Sequence, residues 1–377
     1  MTIATSSENR HHHRHRRPRH TRRALCDKVM ENEHQNISMY DVVWIHFGSQ
    51  STLDRHFKNY IDEYEKNYTT SSERQQRRRS YALTAFYVRC HNRDASNGHY
   101  TFTLRIPFDA DDIFYESNNH HSSIAPNIGE LQQHADKTSD EASDAQRPSS
   151  MDWRTGGFVS EIENQLTHRC SSCYAFGAAY SIEAAYKIKT GGPLISLSKQ
   201  QSVDCSGPYG NMGCDNGTAD RVFSYVEDYG IMSEKSYPYT AKAGQCRYKE
   251  RFVVTKISTR EWICPKNPSI PKLLDALANK GPVAISMYSN LPSYRAYGNG
   301  IYFDFRCQQT SYPVDHTMTA IGYGHDATEN VQFVILKNTR GKRWGERGFM
   351  RMRVKNSTGN YFNACQIATY AVIPLID

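Results

Sequence analysis

Asn164 to Lys189 reads NQLTHRCSSCYAFGAAYSIEAAYKIK, and the fold is decided within this stretch. Ala175, Ala178, Ala179, Ile182, Ala185, Tyr186 and Lys189 recur at intervals of three and four, the spacing of an amphipathic helix. Gly191-Gly192 closes it. Cys173, in the turn Cys170-Ser171-Ser172-Cys173-Tyr174, therefore falls at or just before the first helical turn. Amide N–H groups there lack helical partners, and the positive end of the helix dipole favours an anion. A thiolate is stabilised at such a position, so the Cys173 pKa is expected to fall. Cys173 is a candidate nucleophile.

Outside that stretch, 377 residues leave room for one large or two smaller domains. No run of 18 apolar residues exists, which excludes a transmembrane helix. Ten cysteines suggest an oxidising compartment, whereas no apolar signal region appears near residue 1. An incomplete or misassigned start is one hypothesis that reconciles the two. Charge is unevenly spread. Residues 1–25 hold seven Arg against one Glu, residues 26–150 hold 13 basic against 19 acidic, and residues 151–377 hold 26 against 19. An acidic middle preceding a basic domain is what two mutually covering parts would look like, or simply two unrelated solvated surfaces.

The His/Arg run from Arg10 to Arg17 could bind nucleic acid, metal or an anionic surface, but it has no aromatic interleaving. It reads as a disordered basic arm, and no nucleic acid partner is expected. Phe57, Tyr60, Tyr64 and Tyr68 lie on one face of a helix over Leu53–Tyr68, and Glu73–Asn92 reads as a second helix. Tyr100–Leu104 looks like a short strand. Ser117–Ser150 is too polar to bury a core and reads as a linker. Further helices are expected over Leu197–Asp204 and Thr218–Tyr229. Strands are expected over Val283–Met287, Thr317–Tyr323, Gln332–Lys337 and Gly348–Val354. The class is α+β.

Gln165 followed by Cys170-Ser171-Ser172-Cys173-Tyr174-Ala175-Phe176 resembles the active-site segment of papain-like cysteine proteases. The resemblance continues through Met151-Asp152-Trp153-Arg154, Cys214-Asp215-Asn216-Gly217, Tyr237-Pro238-Tyr239 and Gly281-Pro282-Val283. It then takes in Val314-Asp315-His316 to Gly324, Leu336-Lys337-Asn338 and Trp344-Gly345-Glu346-Arg347-Gly348. It implies a two-lobed domain over 149–377, preceded by a basic arm and lead-in over 1–49. An inhibitory propeptide of the cathepsin L-like branch would cover 50–116, and an activation linker 117–148. In the propeptide, Glu73, Arg77 and Asn92 fall on the family's motif positions, and Phe108-Asp109-Ala110-Asp111 is a weakened form of its acidic segment.

The same resemblance implies an endopeptidase made as a zymogen, with Cys173 as nucleophile, His316 as its base and later acid, and Asn338 orienting the imidazole. The Gln165 amide and the Cys173 N–H would form the oxyanion hole. Substrate would lie along Asn216 and Gly217, with a side-chain pocket lined by Thr218, Ala219, Ser286, Val314, Thr317 and Tyr370. Asp315 lies beside it. Tyr370 at the floor predicts a shallow pocket preferring medium apolar side chains. Family pairing joins Cys170 to Cys214, Cys205 to Cys246 and Cys307 to Cys365. Cys26, Cys90 and Cys264 have no assigned partner, although a Cys26–Cys90 bridge is conceivable. A zinc or redox role for Cys170 and Cys173 lacks a second Cys-x-x-Cys. No cofactor or metal is implied. The expected partners are protein or peptide substrates, the chain's own propeptide and cystatin-like inhibitors, and the expected state is a monomer. A lysosomal or extracellular location follows by resemblance. Sequons at Asn36, Asn67, Asn216 and Asn356 would matter in a secreted chain.

Two departures point toward an alternative, a weakly active or inactive homologue that binds peptides without cleaving them. Gln165 precedes Cys173 by eight residues instead of the family's six, because the loop Leu166–Arg169 is expanded. Arg340 stands where a shielding Trp is expected. That substitution predicts a wetter His316–Asn338 hydrogen bond and an ion pair weakened by like charge. Acid would be expected to loosen the propeptide by neutralising its carboxylates.

Overall fold

Thr21 opens the described chain by capping a helix, its hydroxyl accepting the Ala24 N–H at 3.3 Å. The structure, a computed structural model, describes residues 21–31, 34–114, 147–165, 170–264, 267–308 and 313–377. It divides into two units, residues 1–90 with 110–115 and residues 91–109 with 116–377. The basic run Arg10–Arg17 and nearly all of the linker 117–148 lie outside the described residues.

The first unit is helical. α1 spans Arg22–Met30, α2 spans Met39–Val42 and runs into a π-turn over Val43–Phe47, and α3 spans Gln50–Tyr64. α4 spans Ser71–Ser96, of which residues 91–96 count with the second unit. The lead-in over 21–49, which carries no strong periodicity, is thus helical from Arg22. Cys26 and Cys90 form a disulfide that ties α1 to α4, with both residues buried. α3 ends four residues before the expected Tyr68 because Glu65 turns left-handed at φ 51°. Tyr68 nevertheless stacks on Phe57, with ring centroids 6.0 Å apart. Buried Asp111 accepts from the hydroxyls of Tyr60 at 2.6 Å and Tyr68 at 3.0 Å, and from Lys66 at 3.0 Å. Arg77 donates to Asp112. Each acidic residue of this segment therefore has its own basic or phenolic partner.

In the second unit the Asn92 side chain brackets Leu104: its amide donates to Leu104 O at 2.9 Å and its oxygen accepts Leu104 N–H at 2.7 Å. This fixes β1, Phe102–Leu104, shorter than the Tyr100–Leu104 expected. In chain order there follow β2 (Met151–Asp152), α5 (Cys173–Thr190), α6 (Lys199–Cys205), α7 (Ala219–Tyr229), β3 (Ile231–Met232), β4 (Val253–Thr255) and β5 (Thr259–Trp262). Then come α8 (Ile270–Asn279), β6 (Val283–Met287), α9 (Pro292–Arg295) and β7 (Tyr297–Tyr302). β8 (His316–Asp326), β9 (Val331–Lys337), β10 (Phe349–Lys355) and β11 (Tyr370–Leu375) complete the chain. The main sheet runs β1-β7-β10-β9-β8-β6-β11-β5, with β2 on β8. Its pairs are antiparallel except β10–β7.

α5, α6 and α7 pack around a core of Tyr174, Ala178, Ile182, Val222, Phe223 and Val226, all fully buried. α5 reaches β8 closely because Gly177 has no side chain. A Cβ there would sit 2.5 Å from Thr317 Cγ2. Disulfides join Cys170 to Cys214, Cys205 to Cys246 and Cys307 to Cys365, and leave Cys173 and Cys264 as free thiols.

Candidate active site

Two element ends carry the chemistry. Cys173 is the first residue of α5 and His316 the first of β8. Because α5 lies against β8, the backbone N–H and hydroxyl of Thr317 are near enough to the Cys173 thiol to favour its thiolate. The sequence argument from the helix dipole expects a lowered thiol pKa. Burial instead pushes the Cys173 thiol up, and the Thr317 bonds and the Tyr174 N–H only partly oppose it.

His316 Nε2 and Asn338 Oδ1 are 2.8 Å apart. An amide oxygen only accepts, so Nε2 carries the hydrogen and Nδ1 is the nitrogen that would exchange a proton. Asn338 directly follows β9 and is fixed on several sides. Its N–H donates to Gly348 O at 3.0 Å, and its side-chain amide donates to Tyr294 Oη at 3.1 Å. Asn338 is 0% and His316 7% exposed. With the N-terminal segment in place both residues are buried, and the Tyr294 ring centroid lies 6.1 Å from that of His316.

Arg340 is turned onto an acidic partner. One oxygen of Asp109 accepts from Arg340 Nη1 at 3.1 Å and from Arg295 Nε and Nη2 at 2.9 and 2.8 Å. The Arg340 guanidinium also lies 5.8 Å from the Tyr294 ring centroid. Desolvation would raise the Asp109 pKa, but the two guanidinium groups overcome it and hold the carboxyl at about 2. The expected acid release through neutralised carboxylates therefore does not apply to Asp109, which stays ionised in mild acid.

Gln165 lies close to Asn338 despite its longer spacing from Cys173. Its N–H donates to Thr339 O at 2.9 Å, and its side-chain oxygen accepts the Thr339 hydroxyl. Its side-chain amide donates to Cys170 O at 3.2 Å, and the residue is 5% exposed. Residues 166–169, which hold the expansion, lie outside the described residues.

Three of the predicted pocket residues come together through strand register. Tyr370 faces Ser286 across β11–β6, and Ser286 faces Thr317 across β6–β8. Directly opposed residues project from one face, so the three form a row. Ala219, at the start of α7, packs in the same apolar cluster as Tyr370. Thr218, Val314 and Thr317 are buried. Gly217 passes over the Tyr174 ring with space for nothing more, since a Cβ would meet that ring at 2.8 Å and Asn211 Oδ1 at 2.6 Å. Asn216 O accepts Met212 N–H at 2.8 Å. Asp315 accepts the Ser289 N–H at 2.6 Å, so this carboxylate caps backbone.

Sequence reasoning missed Arg295 and Tyr294, which sit in the short α9 with no motif around them, and the pairing of Asp109. It also missed two buried lysines. Lys199 pairs with Glu163 at 2.8 Å and Glu183 at 3.2 Å. Lys337 donates to Ser160 O and Oγ at 2.9 and 2.8 Å, and burial pushes its pKa down to about 7.

A helical half and a strand-rich half that meet at a thiol and an imidazole, with an N-terminal segment attached, define the chain as a cysteine-type peptidase. A model described as papain family cysteine protease matches residues 147–375, and one described as cathepsin propeptide inhibitor domain matches residues 57–142. The chain belongs to the papain family of cysteine proteases. It is 32% identical over 311 residues to procathepsin L of Rattus norvegicus, covering 81% of this chain and 88% of that one. To cathepsin S of Bos taurus it is 34% identical, with coverages of 88% and 95%. The solved structure of digestive procathepsin L 3 from the Tenebrio molitor larval midgut superposes with a TM-score of 0.71 at 29% identity, covering 86% of this chain and 99% of that one. The chain is thus a cysteine-type endopeptidase carrying its own propeptide, and no described helix is long and apolar enough to cross a membrane.

Proposed function

We propose that Cys173, His316 and Asn338 perform the peptide cleavage, and the observation that carries this reading is the 2.8 Å His316–Asn338 bond beside a thiol at a helix start. Once the site is open to substrate, Cys173 gives its proton to His316 Nδ1. The sulfur then attacks the scissile carbonyl carbon, and the carbonyl oxygen takes the electron pair. The Cys173 N–H and the second hydrogen of the Gln165 amide stabilise that oxyanion. His316 returns its proton to the leaving amine as the C–N bond breaks, which leaves a thioester. Water, deprotonated by His316, hydrolyses the thioester and restores the thiol.

The row Thr317, Ser286 and Tyr370, with Thr218, Ala219 and Val314, is the acyl-side pocket in this reading, and Asn216 and Gly217 hold the substrate backbone. Tyr370 narrows the floor, so Val and Leu are favoured over Phe and Arg. A panel of fluorogenic peptides differing at this one position tests it, and fastest cleavage of Phe or Arg would contradict it. Residues 50–116 act as the inhibitory propeptide and 117–148 as the segment cut on activation. The disulfides fit a lysosomal or extracellular setting, and this reading takes the enzyme as a monomer open to cystatin-like inhibitors. Arg340 favours a second reading, a peptide-binding homologue of low activity. Hydrolysis of the panel by processed full-length protein, absent in Cys173→Ala, would separate the two.

A further inference from the structure

We infer that Arg295 and Arg340 form a carboxylate-binding subsite on the leaving-group side of the cleft, filled by Asp109 in the zymogen and by a carboxylate of the substrate peptide afterwards. The inference rests on the catalytic roles proposed above.

The sheet order places the subsite. β8, which carries His316, is flanked by β6 on one side and β9 on the other. The acyl-side row Ser286 and Tyr370 lies on the β6–β11 side, and Asn338 and Arg340 follow β9 on the opposite side. His316 hands its proton to the departing amine, so side chains beyond Asn338 face the departing half of the peptide. Arg340 is connected to the chemistry through Tyr294, whose ring it covers and whose hydroxyl accepts from Asn338.

The subsite is built and already holds a carboxylate. Three N–H groups converge on one Asp109 oxygen at 2.8 to 3.1 Å. Arg295 is 7% exposed, and its own backbone oxygen accepts the Trp344 indole N–H at 3.2 Å, which anchors the segment. Arg340 Nε is buried with no hydrogen-bond partner among the described residues, so the site has an N–H left to give. When the propeptide leaves, the Asp109 carboxylate that both guanidinium groups share leaves with it. A free carboxylate takes its place with bidentate geometry that an amide cannot match. The chemistry is shared by a Glu or Asp side chain and by a peptide's C-terminal carboxylate.

The test uses full-length protein processed by a trace of added protease and calibrated by titration with a thiol-directed probe. Peptides identical on the acyl side carry Glu, Gln or Lys at the first or second leaving-group position, and a further pair ends there as free acid or amide. We expect kcat/KM about tenfold higher for Glu than Gln, lower still for Lys, and the Glu preference lost in Arg340→Gln. A free-acid preference without a Glu preference would assign the subsite to chain ends, and the reverse to side chains. Equal rates for all of them overturn the subsite while leaving the peptidase reading intact. Anisotropy titration of the same peptides on processed Cys173→Ala protein reads the preference without catalysis, so an inactive enzyme does not shield the inference. Equal affinities there overturn it too.

Discussion

Gln165 and Asp109 show how much a single side chain can carry. The Thr339 hydroxyl and Cys170 O hold the Gln165 amide in place, so Gln165→Ala should lower kcat by about 10²–10³, the effect of losing one oxyanion donor. Steady-state kinetics checks this, and an unchanged kcat would place the donor elsewhere. Asp109 is depressed to about 2. A carboxylate held that low contributes its stabilisation in full above the ordinary Asp range and loses it only as pH falls toward 2. Asp109→Asn should therefore let a thiol-directed probe reach Cys173 in the unprocessed protein faster than in wild type at pH 7 and at pH 5 alike. A difference confined to one of these pH values would argue against a permanently ionised latch.

At the scale of elements, α5 and β8 meet where Gly177 faces Thr317. Gly177→Ala would force stiff, β-branched Thr317 away and move its neighbour His316. We expect a loss of about 1–3 kcal/mol in urea unfolding together with a lower kcat. The Cys26–Cys90 bridge ties α1 to α4, so Cys26→Ser with Cys90→Ser should destabilise the first unit by about 2–4 kcal/mol, read from protease susceptibility. Elements with strong local signals were legible: α5 from its period, β6 from Val283–Met287, and α3 from its aromatic face. β7 escaped because Tyr297–Tyr302 is broken by two glycines, and β11 because Pro374 interrupts it. The candidate site was read from motifs at Cys173, His316 and Asn338, and the structure gives the His316–Asn338 hydrogen bond. Asp109, Arg295 and Tyr294 were not legible, because their contacts join positions up to 231 residues apart, and no local pattern records such pairing. Sequence reveals the helix start at Cys173 but not the burial that pushes its thiol pKa up.

Across the whole molecule, the chain is a protease whose N-terminal segment adds a strand to the enzyme's sheet and a carboxylate to an arginine pair. β1 pairs with β7, with Phe102 opposite Gly300, and Asp109 ends that run on Arg295 and Arg340. The central claim is that one thiol, Cys173, becomes reactive once this segment is removed. The most direct measurement is labelling by an epoxide peptide probe before and after processing, with the site mapped by mass spectrometry and Cys173→Ala as control. The account predicts little label on the intact chain, stoichiometric label on Cys173 after processing, and none in the variant. Processed protein that stays unlabelled, or carries the label on buried Cys264, would contradict it.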